Sequence, residues 1–145
     1  MKVKIGKHTL GSGYPTFIVA EMSGNHGGSL NRAIDIVRSA KRVGADAIKL
    51  QTYTADTITL KSSAEDFCLP LDSPWSNHAS LWDLYDQAHT PWDWHKEIFK
   101  EARLLGLEVF SSPFDETAVD LLESLNVSAY KIASPEITDI PLISC

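Results

Sequence analysis

The sequence is poor in the features that mark several large classes of protein. Its two cysteines, Cys68 and Cys145, are too few and too far apart for a disulfide framework or a four-ligand zinc site, so both read as free thiols. No window approaches the roughly 18 to 20 successive apolar residues that a membrane span needs, and the opening MKVKIGKHTL lacks the apolar run of an export signal. A cytoplasmic protein with no membrane partner is the expectation. The P-loop pattern, the dinucleotide glycine fingerprint, the zinc-protease H-E-x-x-H and the nucleophile elbow G-x-S-x-G are all missing. Nor is there a basic excess: the net charge is −6, and residues 62–145 carry four Lys/Arg against fifteen Asp/Glu. That balance argues against nucleic acid as a partner.

What is present is an ordinary globular composition, 43% hydrophobic and 22% charged, enough for one core. Residues 1–14 read as two short strands around a glycine turn, and Thr16–Met22 as a buried strand. After the loop SGNHGG, Ser29 is placed to cap a helix with apolar positions Leu30, Ala33, Ile34, Val37 and Ala40, stopped at Gly44. Ala47–Tyr53 is a second strand. Residues 54–90 form a long insertion with one short helix near Leu81–Gln87. Thr90, Pro91 and Asp93 suggest a cap and first turn for a helix ending at Gly106, on which Trp92 and Trp94, like Trp82 in the insertion, read as core and His95 as helix surface or a packed neighbour. Glu108–Ser112, a helix at Glu116–Leu125 and a fourth strand at Ala129–Ser134 complete the pattern. Strands alternating with amphipathic helices give an α/β class with parallel pairing, either a doubly wound sheet or part of a (β/α)8 barrel. The helical start at PLISC favours the first half of a larger barrel. The sequon Asn126-Val127-Ser128 reads as chance.

Polar residues fall where parallel α/β sheets bind ligands, at the carboxyl ends of strands. The first strand ends in Glu21 and runs into Asn25 and His26; the second carries Lys49 and Gln51; the third ends in Ser111 and Ser112; the fourth carries Lys131 and Ser134 before Glu136. Lys49 and Gln51 are two apart and share one face, opposite Ile48 and Leu50. Two inward lysines repel each other and are costly to desolvate unless an anion such as a phosphate or carboxylate joins them. Plainer readings stand beside this one: an ion pair of Lys49 with Glu21, another of Lys131 with Glu136, and a loop role for His26 hydrogen-bonded to backbone.

The segments FIVAEMSGNHGGSL, GADAIKLQTYTADTITL, TPWDWH, FSSPFDETAVDLLE and AYKIASPEITDIPLI, in this order and spacing, resemble the sialic acid synthase family, most closely its pseudaminic acid synthase branch. The resemblance covers nearly the whole chain and implies that residues 1–145 are the N-terminal half of a (β/α)8 barrel. It further implies a homodimer when full length, with a C-terminal antifreeze-like domain absent from this chain. Members of the family condense phosphoenolpyruvate with an open-chain acetamido sugar to give a nine-carbon 2-keto acid and phosphate; in this branch the sugar is 2,4-diacetamido-2,4,6-trideoxy-altrose. Carried over position by position, Lys49, Ser112, Lys131 and Ser134 match phosphoenolpyruvate-binding residues. Gln51, Tyr53 and Glu136 match sugar-binding ones, and Glu21, Asn25 and His26 match the catalytic group. The divalent metal the resemblance implies, Mn2+ or Mg2+, has its ligands beyond Cys145, so this chain alone is expected to be inactive. The alternatives are an N-acetylneuraminate or legionaminate synthase, a synthase using a phosphorylated aldose, and a half-barrel that only binds anionic metabolites or partners.

Overall fold

A computed structural model of the chain describes residues 2–145. The first two strands, β1 (Lys2–Ile5) and β2 (His8–Gly11), form an antiparallel hairpin. Gly6 turns it at φ 53°, where a side chain would run into the Glu108 carboxylate. Only glycine meets both demands. The backbone N–H of Lys7 donates to Glu108 at 3.2 Å and its ammonium to the Gly106 carbonyl at 2.9 Å. The hairpin is thereby fixed to the amino end of the sheet, away from the strand ends that bind ligands.

The main sheet has three parallel strands in the order β3 (Val19–Glu21), β4 (Ala47–Thr52), β5 (Glu108–Pro113). Ile48 and Leu50 of β4 are fully buried, and so is Val109 of β5 nearly. They pack beneath α1 (Leu30–Arg42), which contributes Ala33, Val37 and Ala40, and α4 (Trp92–Leu104), which contributes Ile98, Phe99 and Ala102. Leu122 of α5 (Glu116–Ser124) closes the same core. Helices laid on one face while connecting parallel strands are the geometry of a βα barrel. The apolar spacing read in the sequence is the spacing that makes these contacts.

Capping agrees with the sequence in part. Ser29 accepts a hydrogen bond from the Arg32 N–H at 3.3 Å, and Gly44 and Gly106 follow their helices at φ 86° and 71°. Thr90 does not cap α4; Pro91 occupies that position and the Thr90 side chain is buried and engaged elsewhere. Asn126 adopts φ 52° just beyond α5, a helix-stop role for the sequon residue. The insertion holds α2 (Ala55–Ile58), a single 3-10 turn (Glu65–Phe67) and α3 (Leu81–Ala88). Within it the Trp82 indole donates to Asp56 at 2.7 Å and lies under the Lys61 ammonium, so Trp82 ties α3 to α2 at the surface rather than filling the core.

The fourth strand is the clearest departure. Residues 129–134 contribute a single parallel bridge, Ser111 to Tyr130, with the Lys131 N–H donating to the Ser111 carbonyl at 3.1 Å. A 3-10 helix (Pro135–Thr138) and α6 (Ile140–Ser144) follow. Pro135 has no N–H to donate and favours a turn, which stops the ladder early. Both cysteines are free and exposed, and among the described residues no helix is long and apolar enough to cross a membrane.

Because Leu50 is wholly enclosed between α1, α4 and the sheet, Leu50→Ala should cost about 2–5 kcal/mol. Urea unfolding of the two proteins checks this; a loss under about 1 kcal/mol would mean that β4 is not the centre of the core.

Candidate active site

Alternation along β4 sends Ile48, Leu50 and Thr52 to the helices and Lys49 and Gln51 to the other face. The register then sets their neighbours: Glu21, Lys49 and Phe110 form one row, and Gln51 and Ser112 the next. Since Ser111 pairs with Tyr130, and Tyr130 reaches Glu123 of α5 on the helix side, Lys131 continues the row of Gln51 and Ser112. Two strand spacings, about 10 Å, separate Gln51 from Lys131 along that row. Five of the polar residues read from the sequence, Glu21, Lys49, Gln51, Ser112 and Lys131, thus share one face at the carboxyl end of the sheet.

Lys49 is paired. Its ammonium forms a salt bridge with Glu21 on the adjacent strand, and the two side chains are 15% and 43% exposed. The charge thought to need an outside anion is therefore met within the protein, and the plain ion-pair reading holds for this lysine. The second plain pair does not form: Lys131 is exposed, without a carboxylate partner among the described residues, while Glu136 has a buried Oε2 with no hydrogen-bond partner. Ser134 is exposed and stands just before the 3-10 turn without a side-chain capping bond.

The loop after β3 is held in several places. Ser23 sits at φ 48°, a costly conformation for a residue with a side chain, and its hydroxyl donates to the Gln51 amide oxygen at 3.0 Å. Gly24 approaches the backbone of Ala88 so closely that a Cβ there would stand 3.0 Å from the Ala88 carbonyl oxygen. Asn25 donates from its side-chain amide to the Met22 carbonyl at 2.9 Å, so half of its side chain serves the turn.

His26 is completely buried. Its Nδ1 accepts from the Gly28 N–H at 3.2 Å, which leaves Nε2–H to donate to the Thr90 hydroxyl, also at 3.2 Å, and its ring meets Trp94 edge-on. Enclosed on all sides with both nitrogens engaged, it has no face to offer a substrate. The catalytic assignment for His26 gives way to a loop-holding one. Burial, with His89 nearby, pushes its pKa below the ordinary value.

A second buried imidazole lies behind the sheet. His95 Nδ1–H donates to the Pro91 carbonyl at 3.3 Å, so Nε2 accepts from the Thr52 hydroxyl at 2.9 Å, and Thr52 in turn accepts from Ser111 at 2.7 Å. Sequence reading placed His95 on a helix surface or among packed neighbours and missed this chain. Tyr53 is buried against Tyr85, His89 and Phe114, and burial with the nearby Tyr85 pushes its phenol up to about 12, so it stays protonated at neutral pH.

Larger concavities lie elsewhere, between α1 and α4 (about 860 Å³) and between α4 and α5 (about 500 Å³), lined by Arg38, Lys96, Lys100 and other helix-surface residues. Neither touches the polar row, so neither is taken as the site. Among the described residues no group of three or more His, Cys, Asp or Glu could hold a metal ion.

Residues 36–145 match the family model described as the NeuB family. This chain belongs to the NeuB family. It is 47% identical over 123 residues to the pseudaminic acid synthase of Campylobacter jejuni subsp. jejuni serotype O:2, covering 85% of this chain and 35% of that protein. Against the pseudaminic acid synthase of Helicobacter pylori it is 48% identical over 129 residues, 89% of this chain and 37% of that protein. The fold superposes on the N-acetylneuraminic acid synthetase of Leptospira borgpetersenii with a TM-score of 0.81 at 25% identity, covering 99% of this chain and 45% of the other. The chain spans about a third of the length of the curated relatives it matches, and its α/β fold is part of a sialic acid synthase barrel.

The buried, neutral state of His95 has a measurable consequence. Its pKa falls from 6.5 to about 4, chiefly through burial, against the raising effects of the Pro91 and Trp92 backbone and Asp93; His26 lowers it further. The unfolded chain therefore binds more protons than the folded one between those values. Stability from this group is complete above pH 6.5, erodes as pH falls and is gone near pH 4, a loss on the order of 3 kcal/mol. His95→Gln should flatten the fall in urea midpoint between pH 7 and 4.5; equal slopes in both proteins would refute the assignment.

Proposed function

We propose that this chain provides the phosphoenolpyruvate side of a pseudaminic acid synthase-type site. The whole protein would join phosphoenolpyruvate to an open-chain 2,4-diacetamido-2,4,6-trideoxy-altrose, yielding a nine-carbon 2-keto acid and phosphate. The observation that carries the reading is the single polar face formed by Lys49, Gln51, Ser112 and Lys131 at the carboxyl end of the sheet, in a chain nearly half identical to pseudaminic acid synthases.

Lys131 is the cation left to meet a highly charged ligand, with the Ser112 and Ser134 hydroxyls as donors to phosphate or carboxylate oxygens. Lys49 contributes a second positive centre while orienting Glu21. The reaction needs the enol carbon to attack the sugar aldehyde, a proton for the new alkoxide, and water at the resulting cationic carbon before phosphate leaves. Glu21, half exposed and held by Lys49, is placed to order that water or carry its proton. Lysines facing the ligand offset the charge that shifts between carboxylate and phosphate. Gln51 and Glu136 are assigned to the sugar, the latter because its buried oxygen has no protein donor. Tyr53 supports that side by packing. Asn25 is assigned to the catalytic loop. The divalent cation implied by the family resemblance would be held by other parts of the whole protein, which would also act as a homodimer.

Phosphoenolpyruvate titrated into the chain, followed by backbone NMR shifts, should move Ser112, Lys131 and Ser134 together. Lys131→Ala should weaken binding about tenfold, the scale of one charge-assisted hydrogen bond. Shifts confined to the helix grooves, or wild-type affinity in Lys131→Ala, would overturn the reading.

A further inference from the structure

We infer that the segment Thr90–His95 is a positioning clamp that holds the sheet-face site from behind. Two of its side chains reach in different directions. His95 receives the Thr52 hydroxyl, which receives Ser111; Thr52 and Ser111 directly follow and precede Gln51 and Ser112, the two residues paired across β4 and β5 in the polar row. Thr90 engages His26, whose other nitrogen takes the Gly28 N–H, and Trp94 closes on the same ring. That arm fixes the loop carrying Ser23, which donates to Gln51. Six consecutive residues at the start of α4 therefore fix Gln51 from two sides, through its strand neighbour and through its loop partner.

All four groups, His26, Thr52, Thr90 and Ser111, are at most 2% exposed, as is His95. Their bonds are shielded from competing water, and every hydroxyl and ring nitrogen among them is partnered. Donors and acceptors run in one direction only: Ser111 to Thr52 to His95 to the Pro91 carbonyl. A chain with a single consistent polarity permits one arrangement of the strand ends. Apolar residues of equal volume would fill the space without choosing among registers or rotamers. None of these residues touches the polar face itself, so they are positioning residues.

The test reads local order apart from global stability. Amide hydrogen exchange is followed in the wild-type chain and in His95→Phe, Thr52→Val and Thr90→Val, with Val37 and Ile98 as reporters of global opening. The clamp predicts that His95→Phe and Thr52→Val speed exchange at 51–53 and 112 by at least about tenfold relative to those reporters. Thr90→Val should do the same at 25–28. His95→Gln, whose amide oxygen can accept from Thr52, should restore wild-type exchange, which a purely space-filling role would not. If His95→Phe fails to fold, Thr52→Val and Ser111→Ala remove the same bonds without touching the helix. Unchanged relative exchange in the folded variants, or glutamine no better than phenylalanine, overturns the clamp. Its effect on affinity rests on the proposed function: phosphoenolpyruvate binding should weaken in step with exchange. A wild-type chain that binds no phosphoenolpyruvate would defeat that function and leave the exchange result to decide the clamp alone.

Discussion

The central constraint is that β4 is committed on both faces. Its helix side is occupied by Ile48 and Leu50 under α1 and α4, so Lys49 and Gln51 are sent to the opposite side by the two-residue repeat of the strand. A one-residue slip would bury a lysine among Val37, Ile98 and Phe99, at a cost no hydrogen bond there could offset. The core thus fixes where the polar chemistry stands. It also explains Glu21: the parallel register brings it beside Lys49, where it supplies the counter-charge that a largely enclosed ammonium needs. The exposed bridge between Arg38 and Glu101, by contrast, contributes about 0.2–1 kcal/mol at most and decides nothing about the arrangement.

The helix side of the same sheet is not wholly apolar. Thr52, Ser111 and His95 interrupt it at the carboxyl end, and His26 with Thr90 does so under the loop. Buried polar groups are tolerable only when fully paired, and here each finds a partner in the direction its protonation state requires. Burial lowers the pKa of both imidazoles, and the backbone groups they meet choose the tautomer: an N–H pointing at His26 Nδ1 and a carbonyl facing His95 Nδ1. The interior imposes a tautomer on each ring, which makes both unsuited to shuttling protons and well suited to holding geometry.

Much of this was legible in the sequence because periodicity carries it. The alternation in AIKLQT placed Lys49 and Gln51 on one face, and the helical spacing in α1 and α4 marked the residues that bury β4. Legibility failed where side chains bond across long separations. Nothing local distinguishes a capping Thr90 from one that reaches His26, 64 residues away, and nothing in TPWDWH announces that its last residue faces Thr52. It failed again at residues 129–134, whose apolar composition suits a strand but whose pairing ends after one bridge, with Pro135 just beyond. The loop histidine was readable in both its roles, and burial decided between them.

Lys131 and Glu136 show how far a site depends on its walls. In the polar row Lys131 is exposed and Ser112 buried, while two of the concavities of the chain lie among its outer helices. Inside a closed barrel, strands face one another across a packed interior, and side chains on that face at the carboxyl end become the lining of a pocket. Enclosure would strengthen every interaction there by lowering the local dielectric. An unpaired Lys131 and a Glu136 oxygen without a donor would then be strongly unfavourable unless a ligand carrying both anionic and hydrogen-bond-donating groups lay between them. Under the function proposed above, a phosphorylated carboxylate beside an acetamido sugar would supply both, oxygens for the lysine and hydroxyl or amide N–H groups for the glutamate.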